Sequence, residues 1–399
     1  MSDASPFLPY NLPSIDEQEI AEVTAVLRSG WLTTGPVTQR FEAELAEYVG
    51  APHALAVNSC TAGLHLALQA SGVGPGDEVI TTPMTFCATV NTILHTGAKP
   101  VLADIGDDFN IDPAQIERKI TPLTRAIVPV HMAGLACDMD AIWAIAQKHG
   151  LLVIEDAAHA IGTQYKQRPI GYSLSGSRST AVAFSFYATK NLTTGEGGMV
   201  TTHDPQLMEK MRILCLHGIS RDAWKRYSQS GSWFYEVVEA GYKYNLSDLQ
   251  SAIGIHQLRK QETFIRRRTE IAERYNEAFG SMPELRVPPQ SEDCRHCWHL
   301  YMLRLALGRL SISRAEFIER MKTLGIGCSV HFIPIPCHPY FAASAAEERN
   351  HCLRSMELYE TTVSLPLYPG MSDVDVTRVI EAVKNVIQDA TVSIVSTTA

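Results

Sequence analysis

An α/β protein built on a mostly parallel sheet is the fold class that three observations predict. Short apolar runs alternate with helix-period segments from about residue 54 to 202. The runs are too apolar for a sheet with one wet face, so helices should cover both faces. Several helical segments open on Thr, Pro or Asp, which are helix start signals. The candidate strands, in order, are Ala54 to Asn58, Glu78 to Thr82, Pro100 to Asp104, Ala126 to His131, Leu151 to Asp156, Ala181 to Phe186 and Gly198 to Thr202. Between them Gly63 to Ala70, Phe86 to Leu94, Pro113 to Lys119 and Asp138 to Lys148 read as helices. The glycine-rich link from Phe186 to Met199 is too short for a comfortable right-handed crossover, so the last strand is expected to run antiparallel.

Residues 217 to 244 lack periodicity and read as a functional loop or intersubunit arm. Ser247 to Phe279 reads as one long helix or two, with Arg266, Arg267 and Arg268 on a solvated face. Beyond it, strands near Leu300 to Leu305 and Gly327 to His331 are expected. Helices near Arg314 to Leu324, His351 to Thr361 and Asp373 to Gln388 accompany them. The expected division is a large domain over residues 1–260 with an N-terminal arm, and a smaller C-terminal α+β domain over 261–399.

Length and composition agree with this. The 399 residues, 45% hydrophobic and 19% charged, supply a sizeable core. With 34 basic and 43 acidic residues the net charge is −9, which predicts no nucleic-acid partner and no membrane surface. The stretch between Glu78 and Lys99 carries no formal charge, but its six threonines, Pro83, Asn91 and His95 favour a buried strand, loop and helix over a membrane span. Nine scattered cysteines, with no secretory leader, read as reduced thiols in a cytoplasmic protein.

The residues with the most chemical content are Asp156, ending LLVIEDAAHA, and Ser185 and Lys190 in FSFYATKNLTTGEGG. Open α/β sheets bind ligands at strand ends. A lysine just past a buried strand can be desolvated and lowered in pKa, as Schiff-base chemistry requires, although a loop lysine explains the same position. Asp156 could hold a pyridine nitrogen protonated and so make pyridoxal phosphate an electron sink, or it could cap a helix. NSCTAGLHLAL offers Ser59, Cys60 and Thr61 at a helix start, an anion site or an ordinary cap. Phe86 could stack on a pyridine ring or sit in the core. His159 could donate to a phenolic oxygen or bond locally. CRHCWH at 294–299 has a CxxC without a second one at zinc spacing, so Cys294 and Cys297 read as free thiols in a loop and no metal is expected.

Eight strings spread over nearly the whole chain resemble the DegT/DnrJ/EryC1/StrS sugar aminotransferases, within the pyridoxal-phosphate-dependent transferases of fold type I. They are WLTTGPVTQRFE (31–42), NSCTAGLHLAL (58–68), GPGDEVITTPMTFCAT (74–89), VPVHMAG (128–134), VIEDAAHAIGT (153–163), FSFYATKNLTTGEGGMV (184–200), GYKYNLSDLQSAIG (241–254) and GCSVHFIP (327–334). The resemblance implies a seven-stranded large-domain sheet, Lys190 as the Schiff-base lysine and Asp156 at the pyridine nitrogen. It also implies Ser185, Thr61 and the Cys60 amide on the cofactor phosphate, with Phe86 stacking. His159 replaces a frequent glutamine, and Cys60 a frequent glycine or alanine. By the same similarity Asn245 reaches the phosphate across a homodimer interface and His331 lines the sugar side.

The implied activity is ping-pong amino transfer from glutamate to carbon four of a nucleotide-linked 4-keto sugar, by way of pyridoxamine phosphate. Among the relatives, CTAGLHLAL, VHMAG, EDAAHA and GYKYNLSD most resemble the enzymes that make UDP-4-amino-4-deoxy-L-arabinose for lipid A modification, which favours a UDP-4-keto-pentose. The alternatives are a UDP-, dTDP- or GDP-4-keto-6-deoxy hexose, for lipopolysaccharide or other surface sugars. Sugar dehydratases of this fold replace the lysine by histidine, so Lys190 favours amination. A non-catalytic sensor holding the cofactor as ligand is a further alternative, without any DNA-binding module to control.

Overall fold

The computed structural model describes residues 6–172, 179–220, 234–342 and 351–392. Two capped helices lead in. Asp16 accepts the Gln18 amide at 2.8 Å and starts α1 (Glu17–Ser29), while α2 (Pro36–Val49) begins on a proline. The sheet then builds as expected from β1 (His53–Val57), β2 (Glu78–Thr81), β3 (Lys99–Leu102), β4 (Thr124–Val128) and β5 (Leu152–Asp156). Two short strands, β6 (Gln164–Tyr165) and β7 (Arg168–Pro169), precede β8 (Ala181–Ser185) and β9 (Gly198–Thr202). Seven of these form one sheet in the order β1-β9-β8-β5-β4-β2-β3. The five from β3 to β8 in that order are parallel, and β9 runs antiparallel to both neighbours. The short link after Phe186 permits nothing else.

Strand pleat explains why both faces are apolar. Leu55, Val57, Ala183 and Val200 enter one hydrophobic cluster, with α3 (Cys60–Ala70) and α7 (Pro205–Cys215). Their alternating neighbours Ala54, Ala56, Val182, Phe184 and Met199 enter the cluster on the other face, with α2 and α8 (Asp248–Arg259). The charge-free stretch after Glu78 is β2, a loop and α4 (Cys87–His95), and α5 (Pro113–Lys119) and α6 (Met139–His149) complete the crossovers. No helix among the described residues is long and apolar enough to cross a membrane.

Beyond the sheet, Ser247 to Phe279 is two helices, α8 and α9 (Gln261–Phe279), which meet at Lys260. Here one expectation fails: Arg268 is not on a solvated face but 2% exposed. It lies on the stripe Phe264, Ile265, Ile271, Ala272 and Tyr275, and its Nη1 donates to the carbonyls of Trp298, His299 and Leu367 at 3.2, 3.4 and 2.7 Å. Arg267 reaches Asp373 at 2.8 Å. A second correction concerns Gly327 to His331, which forms no strand: its backbone pairs through isolated bridges, from the preceding Ile326 to Leu8 and from Ser329 to Ser364. The strands beyond residue 280 are β10 (Leu285–Arg286), β11 (Cys294–Arg295), β12 (Tyr301–Leu305) and β13 (Thr362–Leu365). β10, β12 and β13 form an antiparallel sheet, and β11 pairs with β6. Helices Arg314–Thr323, Leu353–Thr361 and Asp373–Ala390 match expectation within a few residues.

The apolar cluster of this C-terminal part draws on residues from Ile271 to Ala390, joined by Leu8. Leu8 is hydrogen-bonded across Gly325 and Gly327, both at 2.8 Å. Of the suspected arm, the described residues make bridges from Leu216 to Lys243 and Ile219 to Val237, and 221–233 lie outside the described residues.

Candidate active site

Since β1 and β8 both oppose β9, they point the same way as β2, β4 and β5, and the carboxyl ends of these strands share one edge. A cavity of about 590 Å³ opens there. Lys190, Asp156, Ser185, Cys60, Thr61, Phe86, His159 and His331 all line it, so eight of the nine expected residues meet. Asn245 does not line the cavity of its own chain. It bridges to Val57, donates to Thr34 Oγ1 at 2.7 Å and leaves its buried Oδ1 without a hydrogen bond.

Asp156 ends β5 at 5% exposure and caps no helix. Thr89 Oγ1 donates to its Oδ2 at 2.8 Å and the Ala158 amide to its Oδ1 at 3.1 Å. Burial pushes this carboxyl above the usual range, against the pull of those two bonds and of Lys190 and His131. Lys190 follows a tight turn, its amide bonded to the Tyr187 carbonyl at 2.9 Å. Burial brings its amine down to about 8, opposed by Cys60 and Asp156.

Ser59 caps α3 by accepting the Ala62 amide at 3.1 Å, and the amides of Cys60 and Thr61 are those that a helix's own ladder leaves over. The Cys60 thiol turns inward to the Ala183 carbonyl at 3.6 Å. Phe86 is 59% exposed along the cavity wall, not in the core, with its centroid 5.8 Å from Phe332. His159 accepts the Ala133 amide on Nδ1 at 3.3 Å, so its neutral ring carries the proton on Nε2. Burial, then Lys190 and His331, hold it well below the usual histidine range. His331 meets Ser364 Oγ through Nδ1 at 2.9 Å, stacks on Tyr10 at 5.4 Å, and is lowered to about 4 chiefly by burial.

Sequence reasoning missed Thr89, Tyr10, Asn191 and His299. Thr89 is three residues from Phe86 on α4, a helical spacing that could have flagged it. The CRHCWH thiols are free, but Cys294 belongs to β11 and Cys297 is wholly buried, donating to the His159 carbonyl at 3.1 Å.

A phosphorylated pyridine aldehyde fits these residues. Spare amides and the Ser185 hydroxyl suit the phosphate, the buried carboxylate suits a pyridinium, and the lowered amine suits a carbonyl carbon. Comparison with known proteins agrees. Residues 13–384 match the DegT/DnrJ/EryC1/StrS aminotransferase family. The chain is 55% identical over 386 residues to the spore coat polysaccharide biosynthesis protein SpsC of Bacillus subtilis (strain 168), spanning 96% of this chain and 98% of that protein. Spr1654 from Streptococcus pneumoniae, assigned as a sugar aminotransferase and solved in PLP and PMP forms, superposes with a TM-score of 0.88 at 34% identity, covering 96% of this chain and 99% of that one. PseC of Helicobacter pylori, an aminotransferase involved in pseudoaminic acid biosynthesis, gives 0.87 at 31% identity, with coverage of 96% and 100%. Kinship that runs through the sheet and the C-terminal part alike has one reading: the protein has aminotransferase fold type I and belongs to the DegT/DnrJ/EryC1/StrS aminotransferase family.

Proposed function

We propose that this protein is a pyridoxal-phosphate-dependent sugar aminotransferase that moves an amino group from glutamate to carbon four of a nucleotide-linked 4-keto sugar. The observation that carries the reading is a lysine amine lowered to about 8 in the same cavity as a buried, hydrogen-bonded carboxylate. The PLP and PMP forms of Spr1654 support the cofactor. When bound, that cofactor supplies an electron sink for the carbon that loses or gains a proton.

The chain's own residues divide the remaining work. Lys190 would hold the cofactor at its aldehyde carbon, and its amine would be the base that holds the moving proton. Asp156 places its charge at the pyridine nitrogen and keeps a proton there, with Thr89 fixing the carboxylate. The amides of Cys60 and Thr61, the hydroxyl of Ser185, and Asn245 from a second copy hold the phosphate. Phe86 would cover one ring face, His159 Nε2–H would donate to the phenolic oxygen, and His331 would meet the sugar. The homodimer rests on Asn245, which lies outside its own chain's cavity, and on exposed Leu32, Val237 and Val238. The division at 260/261 rests on the helix break at Lys260 and the separate apolar cluster beyond it.

For the sugar, a UDP-4-keto-pentose follows from the string resemblance. The second acceptor is a 4-keto-6-deoxy hexose, and the name of SpsC, which concerns spore coat polysaccharide, supports a surface polysaccharide as the destination of the aminated sugar. Glutamate should shift the absorption band of the cofactor-loaded protein to the amine form, and Lys190→Ala should abolish the shift. An unchanged wild-type band rejects amino transfer. Offering both classes of keto sugar to the aminated enzyme decides between the two acceptors.

A further inference from the structure

Among the described residues no group of three or more His, Cys, Asp or Glu is placed to hold a metal ion, and the second histidine of CRHCWH has a use of its own. Asn191, next to Lys190 and 4% exposed, turns both the nitrogen and the oxygen of its side-chain amide to this string. Nδ2 donates to the Cys297 carbonyl at 2.9 Å, and Oδ1 faces His299 Nδ1 at 3.1 Å. A carbonyl only accepts, so the amide is oriented and its oxygen requires a proton on His299 Nδ1. The neutral His299 ring then keeps a lone pair on Nε2, and it lines the same cavity as Lys190.

His159 is wired the opposite way, as a donor on Nε2, with its ring centroid 4.3 Å from that of His299. The supporting segment is fixed from behind by Arg268 on the carbonyls of Trp298 and His299, and by the Cys297 thiol on the His159 carbonyl. Burial, with His159, Lys190, Arg268 and His331 facing the ring, keeps His299 neutral.

We propose that Asn191 and His299 form a positioning clamp for Lys190: Asn191 ties the amine-bearing turn to residues 297–299, and His299 Nε2 stands in the cavity as a hydrogen-bond acceptor beside the amine. This rests on the role given to Lys190 above and extends it. A turn that cannot shift returns the amine to one place after each release. The acceptor takes an N–H of the amine and directs the amine's own lone pair toward the carbon it attacks.

Two experiments test the clamp. In the cofactor-free protein with ¹⁵N-labelled histidine, assigned with His299→Asn, nitrogen shifts should report Nδ1–H for His299 and Nε2–H for His159. An Nε2–H tautomer at His299 overturns the clamp whatever the protein catalyses. The second reads pyridoxal phosphate capture at Lys190 by absorbance across pH, alongside thermal melting. Asn191→Ala, which removes the tie, and His299→Asn, which can keep it without the acceptor, should slow capture by about tenfold and move its pH midpoint. His299→Gln, which restores a polar atom at the Nε2 position, should recover part of the rate. Variants that only melt earlier, with rate and midpoint unchanged, reduce the clamp to packing and overturn it. Wild-type protein that captures nothing at Lys190 rejects the function proposed above, while the tautomer still decides the clamp.

Discussion

Burial drives the two central ionisable residues toward neutrality from opposite sides, Lys190 down to about 8 and Asp156 upward. For Lys190 the sign is definite. Between about 8 and its ordinary 10.5 the unfolded chain holds a proton that the folded chain has released, so stability of the cofactor-free protein should rise with pH through that window. Urea melting of wild type against Lys190→Met checks this, and parallel curves for the two would remove the shifted amine. Asp156→Asn keeps an acceptor for Thr89 but withdraws the charge. Turnover should fall at least about a hundredfold with melting little changed; near-normal turnover would end the pyridinium role. Lys190 and Asp156 were legible because Asp156 closes one apolar strand run and Lys190 follows the end of another by five residues. His299 was not, since its partner Asn191 lies 108 residues away and no local pattern announces that pairing, and Thr89, 67 residues from Asp156, offered only its helical spacing from Phe86.

Among elements, the parallel strands were the easiest to read, because burial on both faces leaves continuous apolar runs. Residues 327–331, GCSVH, have only Cys328 and Val330 as apolar side chains, and the segment bridges Ser364 through Ser329 without the run of partners a strand needs. Arg268 misled for a related reason. Three consecutive arginines describe the chain, whereas burial follows the three-and-four spacing of α9, and Arg268 falls on the apolar stripe. Position also decides Gly198, where β9 passes the start of α3. A Cβ there would stand 2.6 Å from the Cys60 nitrogen and 2.7 Å from the Phe184 oxygen. Gly198→Ala should therefore cost roughly 1–3 kcal/mol in chemical denaturation and weaken cofactor binding, because α3 must retreat with its amides. Unaltered affinity in that variant would detach α3 from the phosphate.

At the scale of the whole molecule, the phosphate contact proposed for Asn245 would make each catalytic centre the property of two chains. Mixing inactive Lys190→Ala with inactive Asn245→Asp should restore about a quarter of the sites: half of randomly assorted dimers are mixed, and each mixed dimer has one intact centre. Verified mixed dimers without activity would confine every centre to one chain. The sheet order has a different consequence, for biosynthesis. Among the described strands β1 pairs with β9 alone, some 140 residues later in the chain, and β9 also flanks β8. A nascent chain halted on the ribosome before residue 202 thus leaves β1 without a strand partner and one edge of β8 uncovered, and separates the Cys60 amide from Lys190. Vitamin capture can begin only after that strand has emerged and slotted between its neighbours, so truncated translation products should be both colourless and sticky.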